Sequence, residues 1–164
     1  MNGDTGAAAA LRGAQAPEET AARQEWMALL SWAPAARLST LWDGVPNKPD
    51  ARFLRAPECG LVMTQGRIGG TGSPFNLGEI TVTRCSVILS DGTVGHAYQA
   101  GRDKAKAEMS AKLDAMMQDP ARRADLDRMV FQPLRAERAR KDADRAAKAA
   151  ATKVDFFTMV RGED

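Results

Sequence analysis

Ala22, Trp26, Leu29, Leu30 and Ala33 recur at intervals of three and four, the spacing that lines one face of an α-helix. Pro17 at the front and Glu18 and Glu19 in the first turn suit the start of that helix, where the dipole favours acids. Pro34 interrupts the pattern and opens a second helix, with Leu38, Leu41 and Trp42 on one face and Gly44 as the expected C′ residue. The spacing therefore predicts a helical hairpin whose tryptophans sit on the apolar stripe. Val45–Pro49 reads as a rigid linker.

From residue 51 β-branched runs replace the helical spacing. Ala51–Arg55, Leu61–Arg67, Glu79–Leu89 and Thr93–Tyr98 predict an antiparallel meander of about four strands. Ala56–Gly60 is the expected turn between the first two, and Ile68–Leu77 a long loop. Ser90-Asp91-Gly92-Thr93 predicts a hairpin closed by a type I′ turn, which Asp-Gly accepts. Within Glu79–Leu89, Ile80 and Val82 share one face whereas Cys85, Val87 and Leu89 take the other. That phase change predicts a bulge near Arg84, or a strand covered on both sides.

After Gly101 the helical period returns. Asp103 is a natural N-cap, Ala105, Met109, Leu113 and Met116 form a stripe, and Asp119-Pro120 ends the segment. Residues 134–153 form another kind of helix. Between Leu134 and Val154 no apolar side chain is larger than alanine, which predicts a solvated strut with pairs such as Glu137–Lys141, or a helix lying on another subunit. The apolar run VDFFTMV follows, and Val154, Phe156, Phe157, Met159 and Val160 are its expected partner-binding side chains. The fold class is α+β: a disordered leader at 1–16, a core at 17–133, and a charged helix with an extended docking segment at 134–164.

Composition changes this picture little. At 164 residues with 44% apolar and 27% charged positions, the chain suits one ordinary globular domain with extensions. Net charge is +2, which gives no global argument for nucleic acid or an anionic membrane. Residues 120–153 carry ten Lys/Arg against five Asp/Glu. A small nucleic-acid-binding module built on that segment is disfavoured by the interspersed acids and the lack of neighbouring aromatics. Two cysteines without C-x-x-C spacing fit a reducing, cytoplasmic compartment, and a single histidine rules out a multi-His metal site. No apolar run reaches the roughly 20 residues of a membrane span.

Candidate chemistry gathers where nine of the fourteen glycines lie, between residues 60 and 104. Arg67, Gly69, Gly70 and Thr71 form a glycine-rich loop whose backbone N–H groups could cradle a phosphate, though neither common nucleotide fingerprint is complete. Arg102 and Lys104 flank a strand-to-helix junction, a second place for an anion. A structural loop and an N-capped helix explain the same residues without a ligand. His96 has no flanking Cys or His and no evident serine partner, so a strand histidine is expected. No catalytic constellation emerges.

The runs RIGGTGSPFNLGEITVTRCSV, DGTVGHAYQAGRDKAKAE and KVDFFTMVRGED resemble those of PhnG, the G-subunit family of the bacterial carbon–phosphorus lyase core complex. The likeness spans about residues 20–164. It implies a cytoplasmic protein of organic phosphonate breakdown in a complex with H, I and J subunits. In that system the I subunit, assisted by G and H, displaces adenine from ATP with a phosphonate to give α-D-ribose 1-phosphonate 5-triphosphate. ATP is then a substrate of the complex, and the family implies no cofactor or catalytic residue for this chain. An accessory subunit is the expectation. The alternative is a subunit whose Arg67 loop and Arg102–Lys104 junction touch the triphosphate directly.

Overall fold

The structure, a computed structural model, describes residues 17–152. Helix α1 runs Pro17–Trp32 and α2 Ala35–Asp43, joined at Pro34, whose carbonyl accepts from Leu38 N at 2.9 Å. Both expected helices are present, but each packs on the later helix Lys104–Met117 rather than on the other, so they do not form the hairpin expected. Gly44 closes α2 with φ −74°, so it is not the left-handed C′ residue expected; the positive φ of this joint falls on Asn47. Trp26 is buried, while Trp32 and Trp42 are half-buried against the core.

Three strands follow, β1 Ala51–Arg67, β2 Pro74–Leu89 and β3 Val94–Ala100, in a meander of order β1-β2-β3. The expected four become three because Ala56–Gly60 does not turn the chain. β1 absorbs it through register shifts between Phe53 and Arg55 and between Arg55 and Glu58. Pro57, which has no N–H to give a ladder, falls in the second of these irregular steps. Opposite β3, β2 keeps an unbroken register from Val82 to Ile88, so the irregularity predicted near Arg84 belongs to the facing strand β1. Odd positions of β2 from Thr83 to Leu89 face the helices, and Val82 is buried on the other side.

The β2–β3 hairpin is closed by a three-residue loop. Gly92 N donates to Leu89 O and Leu89 N to Thr93 O, with positive φ at Gly92 alone. That is a type I turn with a glycine bulge, in place of the type I′ turn expected.

Helix α3, Lys104–Met117, starts at Asp103, whose side chain accepts from Lys106 N at 2.8 Å as an N-cap should. It is the central element, covered by the sheet on one side and by α1 and α2 on others. Its sheet-facing stripe is small, Ala107, Ala111 and Ala115; of the stripe that the spacing predicts, Leu113 and Met116 are buried, whereas Ala105 is exposed and Met109 half-buried. Gly95 on β3 explains the difference. A Cβ there would strike the Ala111 carbonyl oxygen and lie 2.6 Å from Ala115 N, so helix and strand touch backbone to backbone.

Asp119 caps α4, Pro120–Leu126, and a π-helical turn at Asp127–Phe131 leads into α5, Gln132–Ala151. Phe131 and Leu134 seal the core from this side. The expected Glu137–Lys141 pair is replaced by contacts between helices. Glu137 accepts from Arg37 at 2.7 Å, Arg135 donates to Glu25 at 2.6 Å, and Lys141 sits 5.7 Å from the Trp32 ring centre. From Ala139 to Thr152 every residue is exposed. The leader at 1–16 and the segment with Val154, Phe156, Phe157, Met159 and Val160 lie outside the described residues. No described helix is long and apolar enough to cross a membrane.

Candidate functional site

β1 and β2 outrun β3, so the glycine-rich loop lies at the tip of a two-stranded arm. Gly69 and Gly70 take φ of 61° and 79°, values that favour glycine, and nothing lies within 4 Å of where their Cβ atoms would stand. Arg67 donates from Nη1 to the Gly72 carbonyl at 3.0 Å, bracing the loop across its neck. Thr71 follows in a helical-region turn with φ −117°. The glycines therefore set the turn, and the arginine bonds to the chain's own backbone.

Arg102 and Lys104 are exposed at the start of α3, at the root of that arm. The Cys59 thiol donates to Arg102 O at 3.8 Å and Thr83 Oγ1 donates to Gly101 O at 2.6 Å, which fixes the root. Arg67 lies eight residues beyond Cys59 along β1, roughly 25 Å at the usual strand rise. The two basic candidates therefore stand at opposite ends of the arm, too far apart for one triphosphate.

The outer face of the sheet carries polar rows that only the strand register reveals. Arg55, Ser86 and His96 stand in one row, Glu58, Arg84 and Tyr98 in the next. Ser86 Oγ and His96 Nδ1 are 2.9 Å apart, so the histidine has a serine partner that spacing did not suggest. Glu58 is shared by Arg84 at 2.7 Å and Arg55 at 3.6 Å. These groups lie on an exposed face, and no carboxylate orients the imidazole among the described residues. The pair has the geometry of a cross-strand contact and lacks the enclosure that nucleophile activation needs.

The strongest polar constellation is internal. Asp114 on α3 is fully buried and accepts from Arg23 Nε at 3.1 Å and Nη2 at 2.7 Å, from Trp26 Nε1 at 2.8 Å and from His96 N at 2.8 Å. Four donors satisfy both carboxylate oxygens, so the ion joins α1, α3 and β3 and keeps no open position for a ligand. Beside it, the Lys106 ammonium donates to Ser31 O at 2.7 Å, capping the end of α1. Burial lowers the pKa of Lys106, against the opposing pull of Asp103. No group of three metal-ligating side chains occurs among the described residues.

A family model described as phosphonate metabolism protein PhnG matches residues 21–162. A relative from Rhizobium meliloti (strain 1021), the alpha-D-ribose 1-methylphosphonate 5-triphosphate synthase subunit PhnG, is 49% identical over 144 residues, covering 88% of this chain and 92% of that protein. The chain belongs to the PhnG family. The match covers the arm, its glycine loop, the Asp114 centre and α5 together, so all the geometry above lies within the PhnG region.

Proposed function

We propose that this chain is an accessory, non-catalytic subunit of a ribose 1-phosphonate 5-triphosphate synthase within a cytoplasmic carbon–phosphorus lyase core complex. The complex joins a phosphonate oxygen to the ribose of ATP as the bond to adenine breaks, in the course of phosphonate catabolism. The partners are the H, I and J subunits, with I in the most direct contact. One observation carries the reading: the relative that is 49% identical, with 92% of its length covered, is itself named a subunit of such a synthase. The internal geometry supports an accessory role, because Asp114, the most buried charged group, is saturated by the fold.

The apolar segment with Val154, Phe156, Phe157, Met159 and Val160 is the proposed handle for the I subunit. Extended chain seats alternate side chains in pockets, and burying one phenylalanine contributes on the order of 2–3 kcal/mol. A pull-down with the I subunit tests this. The full chain is expected to retain it. A chain truncated after Thr152 should stay folded by circular dichroism and lose it. Retention by the truncated chain at full strength would defeat the assignment of the handle, and no retention by the full chain would defeat the subunit reading.

A further inference from the structure

β3 ends at Ala100, opposite Val82, while β1 and β2 continue together to Arg67 and Pro74. Residues 60–81 thus form a two-stranded arm beyond the body. Leu61, Met63, Ile68, Phe75, Leu77 and Ile80 along it are 40% to 75% exposed. A two-stranded ribbon is marginal in water by itself, and a bare apolar strand edge is a feature that proteins usually cover. Here β2 from Pro74 to Ile80 has no neighbour among the described residues on the side that β3 occupies further along, the last bond on that side running from Gly101 N to Thr81 O.

The arm is apolar on both sides. Leu61 and Met63 share one face, and Ile80 stands on the other opposite Val62. Its charged residues are Arg67 and Glu79 alone, and Arg67 is bonded to the loop's own backbone. Such a surface complements an apolar, nearly uncharged protein cleft and has nothing to offer nucleic acid or an anionic membrane. A ribbon meeting its own copy across a two-fold axis would cover one face, whereas a cleft in a different chain covers both. The arm's length of 22 residues is in the range of the roughly 20–30 residues a side in a standard interface.

Helix α5 leaves from the same end. Pairing of Glu25 with Arg135 and Trp32 with Lys141 sets α5 parallel to α1. Trp26 with Asp114 and Ser31 with Lys106 set α1 antiparallel to α3. β3 also runs antiparallel to α3, since His96 meets Asp114 and Gln99 meets Asp103. Past Lys141, α5 continues for roughly 15 Å in the direction in which the arm extends past Ala100.

We propose that the arm, residues 60–81, inserts into an apolar, nearly uncharged cleft of a different subunit of the synthase, with the exposed end of α5 lying alongside. The inference rests on the reading of this chain as a subunit of a complex, and names the surface that engages the partner. The test co-expresses the tagged full chain with the other synthase subunits and weighs what it retains. Met63→Lys, which faces Glu79 across the strands, and Ile80→Asp, one on each face, should each lower retained partner by about tenfold or more. Arg128→Ala, remote from the arm, should retain the wild-type amount. Isolated variants should melt with the wild type, because both side chains face solvent. Retention by both arm variants at the wild-type level overturns the proposal. Loss with one variant only overturns the enclosing cleft, and an isolated wild-type dimer that Ile80→Asp makes monomeric assigns the arm to a second copy instead. If the wild-type chain retains no subunit, the subunit reading fails and this inference with it. That failure is read on the wild type and differs from loss confined to the arm variants.

Discussion

Trp26 Nε1 donates to Asp114 Oδ1 at 2.8 Å, a buried bond between residues 88 positions apart that pins α1 to α3. Arg23 supplies the counter-charge to the same carboxylate, so an apolar helix interface is keyed by one ion. Replacing Asp114 by alanine leaves the indole N–H and the His96 amide without an acceptor, in addition to a cavity. Loss of one partner of a buried ion pair costs about 3–5 kcal/mol. Asp114→Ala is therefore expected to unfold at markedly lower urea, and Arg23→Ala by less, since Arg23 is 21% exposed and water screens its contribution. Urea midpoints of the two variants and the double variant measure the coupling. Additive effects would show that the pair contributes no interaction.

Cys85 gives the stability a defined pH dependence. Burial first, and the Glu108 charge second, push its thiol up to about 11 from an ordinary value of 9.0. With the folded pKa above the unfolded one, the contribution is complete below pH about 9 and is lost as pH rises through about 11. The loss approaches 1.4 kcal/mol per pH unit inside that window. Cys85→Ala should lower stability at pH 7 and flatten the fall between pH 9 and 11. An unchanged slope would contradict the assignment. Exposed Cys59 should react with a thiol reagent in the native state, and Cys85 only on unfolding.

The amphipathic elements were legible because their periods were undisturbed. Pro34 marked the break between α1 and α2, Asp103 marked the start of α3 and Asp119-Pro120 its end, and Asp91-Gly92 marked a hairpin. Elsewhere spacing alone misled. Ala56–Gly60 has turn composition, yet bulges let an edge strand run straight through it. The buried stripe of α3 followed Gly95, a residue on another element, and no helical period reports that contact. Ion pairs such as Arg37–Glu137 and Arg23–Asp114 join residues about 100 positions apart, so local spacing suggested the wrong partners for α5. Among the candidate residues the loop glycines were recognisable from composition, whereas the Ser86–His96 contact depends on strand register.

At the arm tip, glycine geometry and arginine chemistry separate by experiment. Gly70→Ala must hold a side chain at φ 79°, a strain of about 1–2 kcal/mol with open space around it. Its melting temperature should fall. Arg67→Ala removes a bond to Gly72 O and should leave ATP and phosphonate turnover by the complex within about twofold. A drop equivalent to 1.5–3 kcal/mol would assign Arg67 to a phosphate oxygen. The same assay on Arg102→Ala and Lys104→Ala tests the junction at the root.

Adenine release from ATP and methylphosphonate shows whether the synthase needs this chain. The synthase subunits are assayed with this chain, without it, and with it added back. Release is expected with the chain present, loss without it, restoration on addition, and no release by the chain alone. Full release without the chain would contradict its role as a subunit of the synthase, and release by the isolated chain would contradict its being non-catalytic.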